Sequence, residues 1–287
     1  MRLFTTANTK TAKNEIPTLL LHLAPHKLVG IGNVCPAATR GCIASCLNTA
    51  GRGRFEGMQT ARIKRTLMYY QQRTIFLAQL AAEIHEAREK NGRIAVRLNG
   101  TSDIDFSGLK LNGQNLFEMF QDVTFYDYTK VYKRFLQPIP KNYHLTFSYS
   151  AEPDYYKGKA NEIAANVLSL GYPVAVVFRN HLPETFLGHP VINGDETDER
   201  FLNGAVIVGL TAKGKAKHDT SGFVVEEPEE KYERTAAGIA GAVVLIAFVP
   251  YVVLCHEDAT DTQILGSIAT AVTTLAAVLV VDTITGK

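Results

Sequence analysis

Cysteine is scarce in this sequence, with four residues in 287. No stretch after Met1 reads as a secretory signal, because the apolar run from Leu19 to Leu23 is short, broken by His22 and followed by Pro25. A disulfide-built scaffold is therefore not expected, and the thiols are expected to stay reduced. The first apolar run is not followed by Gly-x-Gly-x-x-Gly, which argues against a dinucleotide-binding fold. Helix-turn-helix and RNA-binding signatures are missing, as are internal repeats and low-complexity tracts. Charged residues make up only 20% of the chain, and the cause lies at the C-terminus.

Two runs there carry no charge: "AAGIAGAVVLIAFVPYVVLC" (236–255) and "TQILGSIATAVTTLAAVLVV" (262–281). At about 1.5 Å per residue, a helix of either run spans roughly the 30 Å hydrocarbon core of a bilayer. Small residues, Gly238, Gly241 and Ala247 in the first run and Gly266, Ala269 and Ala271 in the second, would let two such helices approach closely. Lys231 and Arg234 precede the pair and Lys287 follows it, whereas the connecting loop carries Glu257, Asp258 and Asp261. That asymmetry predicts a membrane location with both ends, and the soluble domain, on the cytoplasmic side. Cys255 then lies across the membrane from the other cysteines. Without 235–287 the chain keeps 29 bases and 24 acids, a mildly basic balance that is compatible with anionic ligands.

The preceding part alternates strand-like and helix-like segments. Apolar runs at 26–34, 93–100, 123–127, 143–150, 173–180, 190–193 and 204–210 read as strands, and 54–90, 116–120 and 161–170 as helices. Near-continuous apolar strands separated by helices predict an α/β fold with parallel strands. Seven short strands suit a full or partial (β/α) barrel, of the TIM-barrel type, better than a two-sided sheet. The expected domains are a barrel-like domain at 1–223, a charged linker at 224–234 and a transmembrane helical hairpin at 235–287. Chemistry in parallel barrels gathers at the carboxyl ends of strands. Here those ends are polar, with Asn99, Ser102, Asp103, Asp127 and Ser148 prominent as candidate contacts for a cofactor or substrate.

Three of the four cysteines fall within "NVCPAATRGCIASCLNTAGRGR" (33–54), as Cys35, Cys42 and Cys46. Thiolates bind soft or borderline metals, and Pro36, Gly41 and the Gly-rich tail permit the tight turns of a wrapping loop. Three readings stay open. A 4Fe-4S cluster held by three thiolates keeps one iron free for a substrate or cofactor, whereas clusters that only carry electrons use four cysteines. Structural zinc needs a fourth ligand, for which His22 or His26 is available. The thiols could also be unrelated.

The cysteine loop followed by "ARIKRT", "RLNGTSDID", "TFYDYTK", "FSYS" and "GLTAKGKAKHDTSGFVV" resembles the mycobacteriophage gene product 88 family over about 1–225. That resemblance implies a phage or prophage protein and little about chemistry. A wider likeness is to radical S-adenosylmethionine enzymes, which place a three-cysteine loop after the first strand of a partial (β/α) barrel. It implies that Cys35, Cys42 and Cys46 hold the cluster and that S-adenosylmethionine binds the open iron through its amino and carboxyl groups. Those enzymes show Cys-x3-Cys-x2-Cys, against Cys-x6-Cys-x3-Cys here, and "LNGTSD" stands where they carry Gly-Gly-Glu.

Arg62, Arg65, Tyr69 and Arg73 share one face of a helix. The face is either solvated or a phosphate or nucleic-acid contact with Tyr69 stacking. "KGKAKH" (213–218) either meets an anionic ligand or lies close to anionic lipid headgroups. The leading expectation is a membrane-tethered, radical S-adenosylmethionine-like enzyme acting on an unknown small-molecule or macromolecular substrate. The alternatives are a zinc-stabilised, non-enzymatic module for nucleic acid or a host protein, and a membrane-perturbing hairpin with a regulatory soluble domain.

Overall fold

The structure, a computed structural model, describes residues 1–5 and 14–227. The two apolar C-terminal runs lie outside the described residues, and no helix among those described is long and apolar enough to cross a membrane.

Ten strands form one sheet: β1 (Phe4–Thr5), β2 (Thr18–Leu21), β3 (Ala95–Arg97), β4 (Thr124–Thr129), β5 (Tyr143–Ser148), β6 (Val174–Phe178), β7 (Thr185–Phe186), β8 (His189–Asn193), β9 (Ile207–Thr211) and β10 (Val224–Val225). Their spatial order is β1-β2-β3-β4-β5-β6-β9-β8-β7, with β10 also paired to β6. Only the edge pairs β1–β2 and β7–β8 are antiparallel. The fold is thus an α/β sheet of mostly parallel strands, as the apolar runs predict. Among the described residues β1 and β7 do not pair with each other, so nothing closes the sheet.

The first parallel strand is β2, which differs from expectation. The stretch 26–34 is turn and bend. His26 and Gly30 have φ of 53° and 79°, and Leu28 and Ile31 point to solvent, so its apolar residues do not make a strand. The expected linker also begins too early. Val224 and Val225 belong to the sheet, paired with Val177 and Phe178.

The helices are α1 (Arg40–Ala44), α2 (Glu56–Gln71), α3 (Arg73–Asn91), α4 (Leu116–Met119) and α5 (Ala160–Ser169). α2 and α3 meet at Gln72, whose φ/ψ of −137°/51° breaks the helix. α4 opens with a capping box between Asn115 and Glu118. The main core joins α3, α4 and α5 to one face of the sheet. Phe76, Leu77, Leu80 and Ile84 of α3 and Val167 of α5 pack in one cluster with Leu19, Leu21, Val96, Leu98, Phe125, Leu145, Phe147 and Val176. Each large side chain buried this way contributes about 1.5–3 kcal/mol. Strand alternation gives the opposite face a different set, including Arg97, Tyr126, Tyr128, His144 and Thr146. Its small apolar cluster holds Ile16, Ala95 and Tyr126, with Phe201 against it.

Candidate functional site

The cysteine loop leaves the carboxyl end of β2 and is pinned across the ends of the neighbouring strands. Asp103 N, beyond β3, donates to Val34 O at 2.7 Å. Cys35 Sγ accepts from His26 N at 3.3 Å and donates to Thr101 O at 3.7 Å. Thr39 caps α1 by accepting from Cys42 N at 3.2 Å. Gly41 N donates to Glu152 Oε1, beyond β5, at 2.8 Å. Gly41 admits no side chain: a Cβ there would stand 1.9 Å from Ser221 Oγ and 2.5 Å from Phe223 Cβ. Cys46 directly precedes the short 3-10 turn Leu47–Thr49.

All three cysteines are free, half-buried thiols. Burial raises each thiol, Cys35 to about 12, and the neighbouring sulfurs add to the rise at Cys35 and Cys42. Two cations oppose this. Lys130 favours the thiolate at Cys42, and Arg62 favours it at Cys46. Both are buried, at 5% exposure each. Lys130 Nζ donates to Ser148 O and Tyr149 O, both at 3.1 Å, and stands 5.0 Å from the Tyr155 ring centroid. Arg62 Nη1 donates to Asn48 O at 3.3 Å and to Asn48 Oδ1, while its Nε has no partner. Among the described residues neither makes an ion pair with a carboxylate. Buried charge is costly unless it is neutralised, so a negative charge on the sulfurs would stabilise Arg62 and would add to the support that Glu152 and Asp103 give Lys130. In the present conformation no three His, Cys, Asp or Glu side chains among the described residues converge on one centre.

The predicted contact residues come together as one internal network. Asn99 is saturated: its Oδ1 accepts from Ser102 Oγ and Ile104 N, and its Nδ2 donates to Ile104 O and Asp127 Oδ2. Asp127, fully buried, also accepts from Asn99 N at 2.7 Å and Tyr143 OH at 2.9 Å. Burial pushes its carboxyl up to about 6 against the pull of Arg134 and the Asn99 hydrogen bonds. Arg134 reaches Tyr143 OH at 2.6 Å and pairs with Asp103 at 3.0 Å. The second Asp103 oxygen accepts from Lys130 N, and Lys130 Nζ meets the Ser148 carbonyl. Asn99 and Asp127 are thus bonded to each other, and Asp103 joins them through Arg134 and Tyr143. Arg134 and Tyr143 complete the network without belonging to the polar strand ends. Their only sequence signal is the spacing Asp127, Lys130, Arg134 after β4.

Beside this network, the polar face of the sheet holds a second group. Asp198 accepts from Arg97 Nη1 at 2.9 Å, Tyr126 OH at 3.1 Å and Tyr128 OH at 3.5 Å. Arg97 lies 4.6 Å over the Tyr128 ring. His22, one residue past β2, is lowered to about 3 by burial and by Arg62, Arg97 and Arg65, and its Nδ1 has no partner. It is a neutral imidazole at neutral pH.

The basic helical face is largely buried and not solvated. Arg62, Arg65 and Tyr69 are 5%, 6% and 8% exposed. Arg65 Nε and Nη2 donate to Arg2 O at 3.2 and 3.1 Å, and Arg73 stacks 3.8 Å over Tyr69. These arginines satisfy backbone carbonyls inside the domain.

No curated protein and no solved structure matches the chain. A family profile does match, over residues 2–227, which is most of the chain and includes every described residue except Met1. The chain belongs to the gene product 88 family.

Proposed function

We propose that this protein is a metal-dependent enzyme whose centre is a 4Fe-4S cluster held by Cys35, Cys42 and Cys46. The observation that carries the reading is the pairing of three thiols with two buried cations, Lys130 and Arg62, neither in a direct ion pair among the described residues, at the carboxyl edge of a parallel sheet. When bound, such a cluster supplies electrons at an iron that no protein sulfur covers. Strands β2 to β6 with β9 then act as a partial (β/α) barrel of the radical S-adenosylmethionine type, with the triplet after its first strand.

The chain's own residues have definable roles in this reading. Lys130 and Arg62 favour deprotonated sulfurs. The network of Asn99, Ser102, Asp103 and Asp127 fixes the strand ends against the loop, with Ser148 joining through its carbonyl, so these residues position the site and do not themselves wrap the cofactor. S-adenosylmethionine and substrate would instead meet the polar sheet face beside His22 and His144, whose imidazoles burial keeps neutral. The C-terminal runs tether the enzyme to a membrane, with this domain on the cytoplasmic side.

Anaerobic reconstitution of the full chain tests the proposal. The reduced protein should give a cluster signal by electron paramagnetic resonance that changes when S-adenosylmethionine is added. A colourless protein with one zinc per chain would instead favour the non-enzymatic, zinc-stabilised reading.

A further inference from the structure

Among the described residues, half of the exposed large apolar side chains fall on the segment that carries the cysteines. Leu28, Ile31, Ile43, Leu47 and Phe55 are 55%, 47%, 39%, 59% and 56% exposed. Ile43 lies on α1 and Leu47 on the following turn, and both elements pack against the basic turn Gly214–His218. Lys215, Lys217 and Arg54 are exposed there, with no carboxylate partner among the described residues. Two nearby acids have partners: Glu226, itself exposed, pairs with Arg179, and Glu227 accepts from the N–H groups of Asn180 and His181. The rim at the carboxyl end of the sheet is thus apolar at its crest and basic at its flank.

We infer that this rim, with Ile43, Leu47 and Phe55 at its crest and Lys215, Lys217 and Arg54 beside them, docks onto an anionic lipid surface. Apolar side chains flanked by cations suit the boundary between acyl chains and anionic headgroups, whereas water alone leaves the apolar crest uncompensated. The chain's course agrees. β10, the last described strand, runs parallel to β6 and so ends at the carboxyl end of the sheet, about ten residues before the uncharged run that starts at Ala236. The inference rests on reading 235–287 as a bilayer anchor, and it adds that the cysteine site faces the membrane. A substrate reaching that site from the lipid phase would be amphiphilic.

The sequence has no tryptophan, so a single introduced indole reports one position. In the full chain, Leu47→Trp and Ile75→Trp are compared on vesicles of phosphatidylglycerol and phosphatidylcholine, with and without brominated phosphatidylcholine. Ile75 is a control, 58% exposed on α3. The expected result is co-flotation, a blue-shifted Leu47→Trp emission quenched about twofold or more by the brominated lipid, and an unquenched Ile75→Trp. Phe55→Trp repeats the measurement should Leu47→Trp fail to fold. Charge reversal by Lys215→Glu and Lys217→Glu should weaken rim contact by about fivefold or more per site. Co-flotation with neither rim position quenched, or with Ile75→Trp quenched equally, overturns the docking face and leaves the anchor standing. Failure to float overturns both. None of these outcomes depends on whether the cysteines hold a cluster.

Discussion

Gly41→Ala is a one-methyl change whose effect can be worked through from the structure. The new Cβ would stand 1.9 Å from Ser221 Oγ, 2.5 Å from Phe223 Cβ and 3.0 Å from Asp219 Oδ1. A hydroxyl can rotate away, but Phe223 Cβ is fixed to the backbone, so α1 or the 219–223 strap must move. Overpacking of this kind costs about 1–3 kcal/mol. Movement of α1 also stretches the Gly41 N–H bond to the Glu152 carboxylate, now 2.8 Å, and such a charged hydrogen bond is worth about 1.5–3 kcal/mol. Alanine returns about 1 kcal/mol through helix propensity. The net is a destabilisation of about 2–4 kcal/mol, which lowers the melting temperature by on the order of 10 °C in a domain of this size. Because Cys42 is the next residue, the variant should also lose metal binding out of proportion to its loss of fold. Differential scanning calorimetry and metal titration read the two effects. A melting temperature equal to or above that of the parent would refute the packing argument, because the propensity gain would then be the only term in play.

Three further outcomes follow from the same geometry. Lys130→Met removes the cation beside Cys42, so the pH of half-maximal Cys42 alkylation should rise. An unchanged pH profile would mean that Lys130 does not influence the thiol. Asp127 has a carboxyl raised from 3.8 to about 6, so its contribution to stability is complete below pH 4 and is lost as pH rises through 6. The stability difference between the parent and Asp127→Asn should therefore shift by about 3 kcal/mol between pH 4 and pH 7, and denaturant titrations showing a constant difference would exclude this. Arg65→Ala deletes both donors to the Arg2 carbonyl and should cost about 2–3 kcal/mol in urea unfolding. It should leave the salt dependence of any nucleic-acid binding untouched, and a reduced salt slope would show that the arginine does contact phosphate.

How far the sequence foretold this molecule depends on where each residue's partner lies. β4, β5, β6 and β9 were legible because buried parallel strands are written as runs such as "VAVVF" and "IVGLT", whose partners are runs of the same kind. β2 was not, because "TLLL" is only four residues long and the longer apolar stretch after it turns its leucine and isoleucine outward. The arginines of α2 misled for a physical reason. A charged helical face normally means water, but Arg62 and Arg65 are paid in backbone carbonyls from Asn48 and Arg2, acceptors that periodicity does not reveal. β10 was hidden in a charged tail because two valines make too short a pattern. The cysteine triplet was plain from spacing alone. Its surroundings were half legible: polar strand ends marked Asn99, Asp103 and Asp127, but only the fold shows that Asn99 bonds to Asp127 and that Arg134 and Tyr143 link Asp127 to Asp103.

Iron analysis of the full chain, purified without oxygen, tests the central claim most directly. The account predicts about four irons with matching sulfide per chain. It further predicts that Cys35→Ala, Cys42→Ala and Cys46→Ala each abolish the iron and that Cys255→Ala retains it. Stoichiometric zinc in place of iron, or loss of iron from Cys255→Ala alone, would contradict it.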